Sequence, residues 1–338
     1  MSDAERKPVP DSPVLVTGGA GYVGSHVCKA LARAGYLPVT LDNLATGHRW
    51  AVKWGPLEIG DVRDGGFVEA VMLRHRVAAV LHFAALSLVG ASAQRPLDYY
   101  DVNVNGALAL AMAMRNCGLR RLVFSSTCAV YGMPQAMPIT EDAPTLPVNV
   151  YGRTKLAAEN LFSDLARADV LDVALLRYFN AAGADRDGEI GEAHDPESHL
   201  IPLAIRAAVE GGAPLHLFGT DYPTPDGTCL RDYIHVEDLA EAHLKALDLL
   251  QETRGCHAFN LGTGRGVSVR EVLAAVARKA GKAPPVVEGP RREGDAAQLY
   301  ASPEKAKREL GWTAGTMGID EMVGSALHWH RQHDRVSQ

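Results

Sequence analysis

The chain has 338 residues, 47% of them hydrophobic and 22% charged, which predicts a globular protein of one large domain or two. A formal net charge of −6 gives no electrostatic footprint for nucleic acid or an anionic membrane. No apolar run reaches the ~18 residues of a membrane span, and Met1 to Ser12 is polar with no apolar h-region, so neither a spanning helix nor a signal peptide is expected. The five cysteines (Cys28, Cys117, Cys128, Cys229 and Cys256) show no paired spacing, which fits reduced thiols in a cytoplasmic protein.

Val14-Leu15-Val16-Thr17 is a short apolar run ending in glycines and predicts a buried strand. Tyr22 to Ala34 follows with helical periodicity, and Gly35 suits its C-terminal stop. Strands are expected at Pro38 to Leu41, Leu57 to Val62 and Ala79 to Phe83, then a helix from Pro96 to Gly118 and a strand at Arg121 to Ser125. A helix bearing Tyr151 and a strand at Val173 to Arg177 come next. Strands alternating with helices imply a doubly wound parallel sheet with right-handed crossovers. After Asn180 strand signals thin out, and Tyr222 to Gly227 reads as a loop. A second, smaller region is expected there, interleaved with the first because Phe259-Asn260-Leu261 looks like one more sheet strand. The division so predicted gives 12–180, with 228–263, to the sheet domain and 181–227 with 264–332 to the smaller one.

Thr17-Gly18-Gly19-Ala20-Gly21-Tyr22-Val23-Gly24 lies between the first strand and the first helix. Glycines at 18, 21 and 24 suit a turn whose backbone amides approach a pyrophosphate, with the helix N-terminus adding positive charge. A bare strand-to-helix turn is the competing reading, and the position near the N-terminus favours a dinucleotide. Asp42 ends the second strand 18 residues past Gly24. A carboxylate there accepts from both adenosine ribose hydroxyls and repels a 2′-phosphate, which argues for NAD over NADP; the plainer reading is a turn-forming Asp before Asn43.

Tyr151 and Lys155 stand four apart, on one face of the expected helix. Free tyrosine ionises near pH ~10, and a fixed cation beside it favours the phenolate. Lowering it to about 7 takes roughly 4 kcal/mol, which a lysine and a cationic nicotinamide ring together could supply. Thr127, just past a strand's carboxyl end, offers a hydroxyl where ligands of such sheets bind. Arg231 and the run Arg291-Arg292-Glu293-Gly294-Asp295 are candidate diphosphate sites, although single surface arginines are more often solvated. Thirteen histidines tempt a metal reading. His194 and His199 have no accompanying metal-site pattern, and His328, His330 and His333 suit a solvated helix end, so no metal is assigned.

Taken together these residues resemble the extended short-chain dehydrogenase/reductase family, and within it the 4-epimerases of nucleotide sugars. The similarity runs from about Val14 to about Trp329. It is carried by Val16 to His26, Leu41-Asp42-Asn43, His82-Phe83-Ala84-Ala85, Leu175 to Asn180, Asp221-Tyr222-Pro223-Thr224, Arg231 to Val236 and Arg292 to Asp295. The resemblance implies a Rossmann-type α/β fold with NAD held by Gly18, Gly21, Tyr22, Val23 and Gly24 at the pyrophosphate and by Asp42 and Asn43 at the ribose. Asp61 and Val62 would flank adenine, and Phe83, Ala84, Ala85, Ser87, Asn103, Ser125 and Tyr178 would line the rest of the cofactor. Tyr151 would be the base, Lys155 its electrostatic partner and a ribose ligand, and Thr127 the hydroxyl on the sugar. Phe179, Asn180, His199, Leu200, His216, Leu217, Phe218, Arg231, Arg292 and Asp295 would bind a UDP-sugar.

The implied activity is reversible hydride transfer at sugar C4, interconverting UDP-galactose and UDP-glucose in a homodimer built through the helices near Pro96 to Gly118 and Tyr151 to Ala168. Three positions depart from the common pattern: Thr127 replaces Ser, Ser87 replaces a Lys found in some members, and Leu299 stands where some carry a tyrosine against the sugar 2-substituent. A 4,6-dehydratase would need an acid pair directly after Thr127, where Cys128 and Ala129 stand. A 4-epimerase of UDP-N-acetylhexosamines or UDP-pentoses is the nearer rival. A non-catalytic NAD sensor is the distant one, since it would have no use for Tyr151, Lys155 and Thr127 together.

Overall fold

The computed structural model describes residues 12–336 except 212, 293 and 316. The readings made for Met1 to Asp11 and for Glu293 lie outside the described residues. Seven strands form one parallel sheet: β1 (Pro13–Thr17), β2 (Leu37–Asp42), β3 (Leu57–Ile59), β4 (Ala79–His82), β5 (Arg121–Thr127), β6 (Asp172–Tyr178) and β7 (Cys256–Leu261). Their spatial order is β7-β6-β5-β4-β1-β2-β3. Strand order therefore reverses between β1 and β4, where ligands of such sheets bind outside the carboxyl ends. Val14, Leu15 and Val16 are all buried, because both faces of β1 are covered. Leu15 sits between Val39 of β2 and Val80 of β4.

One face of the sheet packs Val27 and Leu31 of the helix Tyr22–Arg33 against Leu239 and Leu247 of the helix Val236–Glu252. The other packs Met72, Leu110, Met114 and Phe162, from the helices Gly65–His75, Gly106–Asn116 and Val150–Arg167. The seventh strand, foreseen from Phe259-Asn260-Leu261, lies beside β6 with Asn260 opposite Arg177. The segments expected to form the smaller region hold the helices Leu200–Val209, Val269–Ala280 and Ile319–Val336, which share a separate apolar cluster of Ile201, Ile205, Val272, Val276, Met322 and Val323.

Several sequence expectations need correction. The helix foreseen over Pro96 to Gly118 is interrupted by a π turn at Asp101–Asn105 and ends at Asn116. β3 stops at Ile59, so Val62 is reached by a loop. β5 runs two residues beyond Ser125 and includes Thr127. Among the tail histidines only His328 is exposed. His330 pairs with Glu210 at 2.8 Å, and His333 stacks on Trp50 and Trp329, because the last helix is docked rather than solvated at its end.

Candidate active site

A cavity of about 500 Å³ opens at the carboxyl ends of β1, β2, β4, β5 and β6. A smaller cleft of about 310 Å³ lies at the opposite edge, where Arg120 and Arg254 already pair with Asp172. In the large cavity the glycine turn forms one wall. Gly18 has φ +73°, and a Cβ there would stand 2.6 Å from the Ala84 amide nitrogen. A Cβ on Gly24 would stand 2.3 Å from the Gly18 carbonyl oxygen. Side chains are thus excluded from the floor of a cradle that opens at the N-terminus of the helix Tyr22–Arg33, as a dinucleotide pyrophosphate requires. Asp42 lines the next part of the wall, its carboxylate held by the amides of Ala20 (3.0 Å) and Leu44 (2.9 Å). Each oxygen keeps a second acceptor site for a ribose hydroxyl. Asn43 donates to Asp61 at 3.0 Å, and Arg63 locks Asp61 from the other side.

At the far end the helix Val150–Arg167 begins at Asn149, whose side chain accepts from the Gly152 amide at 2.8 Å. Tyr151 and Lys155 follow on its first turns and both line the cavity with Ser125, Thr127 and Tyr178. The Thr127 hydroxyl accepts from the Ala129 amide at 3.1 Å and shares the wall with the Tyr151 phenol, whose ionised form it favours. Tyr178 Oη lies 2.5 Å from Ser125 Oγ. Lys155 Nζ donates to the Ser125 carbonyl at 2.8 Å and lies 4.8 Å from the centre of the Phe124 ring.

Burial dominates the electrostatics of the site. Burial pushes the Tyr151 phenol well above its usual range, and Tyr178 adds to the rise; Thr127 opposes them. Burial also lowers the Lys155 ammonium to about 7, with Glu159 opposing. The chain by itself therefore does not make a phenolate, because desolvation dominates the Tyr151 ionisation. The positive charge that completes the base has to arrive with the cofactor.

Lys155 carries a stability consequence. Its folded value lies below the ordinary 10.5, so between about 7 and 10.5 the unfolded chain binds more protons. The penalty of burying this ammonium is full at acid pH and fades as pH rises through that window. Lys155→Met is expected to stabilise the cofactor-free protein by roughly 1–4 kcal/mol near pH 6, a gain that shrinks towards pH ~10. Thermal melts across that range check it; a gain independent of pH would show that packing, not charge, is the cause.

Behind the site, Glu159 accepts from Ser126 Oγ at 2.5 Å and from Arg177 Nε and Nη2 at 2.9 and 2.6 Å. Arg177 also donates to the Tyr131 hydroxyl (2.9 Å), which in turn donates to Asn260 (2.7 Å). This buried chain of bonds ties the Tyr151 helix to β5, β6 and β7.

The structure brings together on the cavity wall Gly18, Gly21, Tyr22, Val23, Gly24, Asp42, Asn43, Asp61, Val62, Phe83, Ala84, Ala85, Ser87, Ser125, Thr127, Tyr151, Lys155, Tyr178, Phe179, Asn180 and His199. Asn103 is not among them. It is buried and spent on the Leu86 amide (2.8 Å), the Leu86 carbonyl and Thr154, so it positions the loop after β4 rather than facing a ligand. Leu200, His216, Leu217, Phe218, Arg231, Arg292, Asp295 and Leu299 also lie off this wall. Leu217 is buried in a strand that pairs with Val286–Gly289, Arg231 pairs with Asp295 at 3.1 Å, and Arg292 lies 3.9 Å from the centre of the Phe218 ring. Sequence reasoning missed Arg63, Arg95, Asp98 and Glu192 on the wall. It also missed that Glu192, His194, Glu197 and His199 converge. Against the opposing effect of burial, the two carboxylates raise His194 to about 9 and His199 to about 10.

The profile of the NAD dependent epimerase/dehydratase family matches residues 14–262. The chain belongs to that family. Among its relatives, UDP-glucose 4-epimerase of Rhizobium leguminosarum bv. trifolii is 48% identical over 95% of this chain and 98% of its own. UDP-glucose 4-epimerase of Bacillus subtilis is 45% identical over 94% and 96%. The crystal structure of UDP-glucose 4-epimerase from Brucella ovis in complex with NAD superposes with a TM-score of 0.91 at 48% identity, covering 94% of this chain and 98% of that one. The enzyme from Bifidobacterium longum, in complex with NAD+ and UDP, gives a TM-score of 0.91 at 39% identity, covering 95% and 99%.

Proposed function

We infer that this chain is an NAD-dependent 4-epimerase that interconverts UDP-galactose and UDP-glucose. The observation that carries the reading is that Tyr151, Thr127 and Lys155 share the wall of the cavity that the glycine cradle opens. Gly18, Gly21 and the N-terminus of the helix Tyr22–Arg33 would hold the NAD pyrophosphate, Asp42 and Asn43 its adenosine ribose. Lys155 donates one hydrogen bond, to Ser125, and its remaining ammonium hydrogens suit the second ribose. When bound, NAD+ accepts hydride from sugar C4 and later returns it to the opposite face, so no net oxidation occurs.

The rest is the work of the chain. Tyr151 takes the proton from the C4 hydroxyl, and Thr127 holds that oxygen in place. The 4-keto sugar then has to turn over in the pocket while its UDP stays fixed. Phe179 and Asn180 offer the hexose few strong contacts, whereas Arg231 and Arg292, which lie off the wall, would hold the diphosphate. Binding energy from the remote part of the substrate thereby restrains an intermediate that must remain free to rotate. Purified protein given UDP-galactose, with no added reductant, is expected to form UDP-glucose; absence of that product would refute the reading.

Leu299 packs with Val130, Tyr131, Ile139 and Phe179, directly behind the cavity wall. A leucine there leaves more room than a tyrosine, so UDP-N-acetylgalactosamine is expected to turn over with kcat/KM within about 1,000-fold of UDP-galactose. NMR of the products from a substrate panel checks this, and a larger gap would mean the pocket is closed to a 2-substituent.

A homodimer through the run Pro96 to Asn116 is part of the same proposal. Leu97, Tyr100, Leu108 and Met112 expose large apolar surface along it. Leu108→Glu is expected to yield monomers in sedimentation, where an unchanged mass would place the interface elsewhere.

A further inference from the structure

Glu192, His194, Glu197 and His199 lie in the loop before the helix Leu200–Val209, and one ligand atom from each falls within 4.8 Å of the others. His199 Nδ1 is 2.8 Å from Glu192 Oε1 and 3.0 Å from Glu197 Oε1, and His194 Nδ1 is 3.1 Å from Glu192 Oε1. Tetrahedral ligands at the ~2.0–2.1 Å typical of zinc stand about 3.3 Å from one another; these hydrogen-bond separations would open by a few tenths of an ångström around such a cation.

Two features distinguish the quartet from an ordinary ion-pair network. Among the described residues no lysine or arginine pairs with Glu192 or Glu197. By contrast, the other acidic group, Asp185, Asp187 and Glu189, encloses Lys29 Nζ at 2.5–2.8 Å and so already has its cation. The second feature is Glu197 itself. Its side chain is 1% exposed, yet Oε2 makes no hydrogen bond and lies 3.8 Å from His194 Nδ1. A carboxylate oxygen buried in this way leaves an acceptor site unfilled.

We propose that Glu192, His194, Glu197 and His199 bind a divalent first-row transition cation, zinc being the probe. Two imidazole nitrogens with two carboxylate oxygens suit zinc over magnesium or calcium, which prefer oxygen alone. Binding releases the two imidazole protons, after which two imidazoles, two carboxylates and a dication sum to zero charge. The cation is structural. It pins the loop that carries Glu192, His194 and His199 along the cavity wall, where the Tyr22 ring packs edge-on against His194 with centroids 6.2 Å apart. His199, which the family resemblance would place on the substrate, then acts by fixing the start of the helix Leu200–Val209.

The test uses full-length protein without an affinity tag, stripped with a chelator and titrated with zinc or magnesium. Metal analysis after dialysis is expected to give one zinc per chain and no retained magnesium. Anomalous diffraction at the zinc edge is expected to give one peak among the four side chains. His194→Ala and Glu197→Gln should each weaken zinc by at least about 100-fold, the loss that removing even an outer partner can bring. Circular dichroism confirms that each variant is folded. The proposal is overturned by wild-type protein that holds no stoichiometric zinc, by equal binding of magnesium, by a peak at the tail histidines, or by undiminished binding in the two variants.

Discussion

Tyr151→Phe is expected to lower kcat by about 10²–10⁴-fold, the usual range for losing a positioned general base. KM for the UDP-sugar and the amount of NAD retained should change little, since the lost hydroxyl lies at the Ser125–Thr127 end of the cavity and makes no bond to the glycine cradle or Asp42. Steady-state kinetics with cofactor quantified in the same preparation separates the two effects. Thr127→Ala should fall less far, because it removes a positioning bond and leaves the base. A Tyr151→Phe enzyme within tenfold of wild type would mean that another group moves the proton.

Glu159→Ala is expected to cost about 3–5 kcal/mol of stability, the penalty for stranding one half of a buried ion pair. Arg177 would lose its bonds at 2.6 and 2.9 Å with only 9% of its side chain exposed, and Ser126 would lose its acceptor. Ser126 stands between Ser125, whose carbonyl accepts from Lys155, and Thr127, which lines the cavity with Tyr151. Activity in the surviving folded fraction should therefore drop as well. Chemical denaturation measures the first effect, and a loss below about 1 kcal/mol would show that water replaces the carboxylate at no great cost. Glu159→Gln keeps the shape, so comparing the two variants separates the charge from the packing.

The first half of this fold is legible in the sequence because its parallel strands are buried on both faces. Val14-Leu15-Val16 and Ala79 to His82 therefore appear as unbroken apolar runs rather than alternations. The glycine turn is legible for a steric reason, since neither Gly18 nor Gly24 has room for a Cβ. The second half is less so. Its helices, such as Val269–Ala280, bury a narrow stripe against one another, and prolines and glycines interrupt the signal. Leu299 and Arg231 are joined by a two-residue ladder that no periodicity could reveal.

At the site, the helical spacing placed Tyr151 and Lys155 on the wall but could not report burial, which sets the direction of both ionisations. Asn103 was legible only by resemblance, and its bonds to Leu86 and Thr154 depend on a loop conformation. The four groups at 192, 194, 197 and 199 did leave a signal, ligand-type residues crowded into eight positions. From the sequence, His194 and His199 are weighed as ligands and set aside because the spacing matches no familiar zinc pattern.

The most direct test of the central claim is a near-ultraviolet titration of tyrosinate, comparing wild type with Tyr151→Phe, each loaded with NAD+ or with NADH. One tyrosine is predicted to ionise near pH ~7 in the NAD+-loaded wild type, several units below its usual range. That signal should vanish in the phenylalanine variant and under NADH, whose nicotinamide carries no positive charge. An identical titration in all four samples would contradict the claim that bound cationic cofactor completes the base at Tyr151.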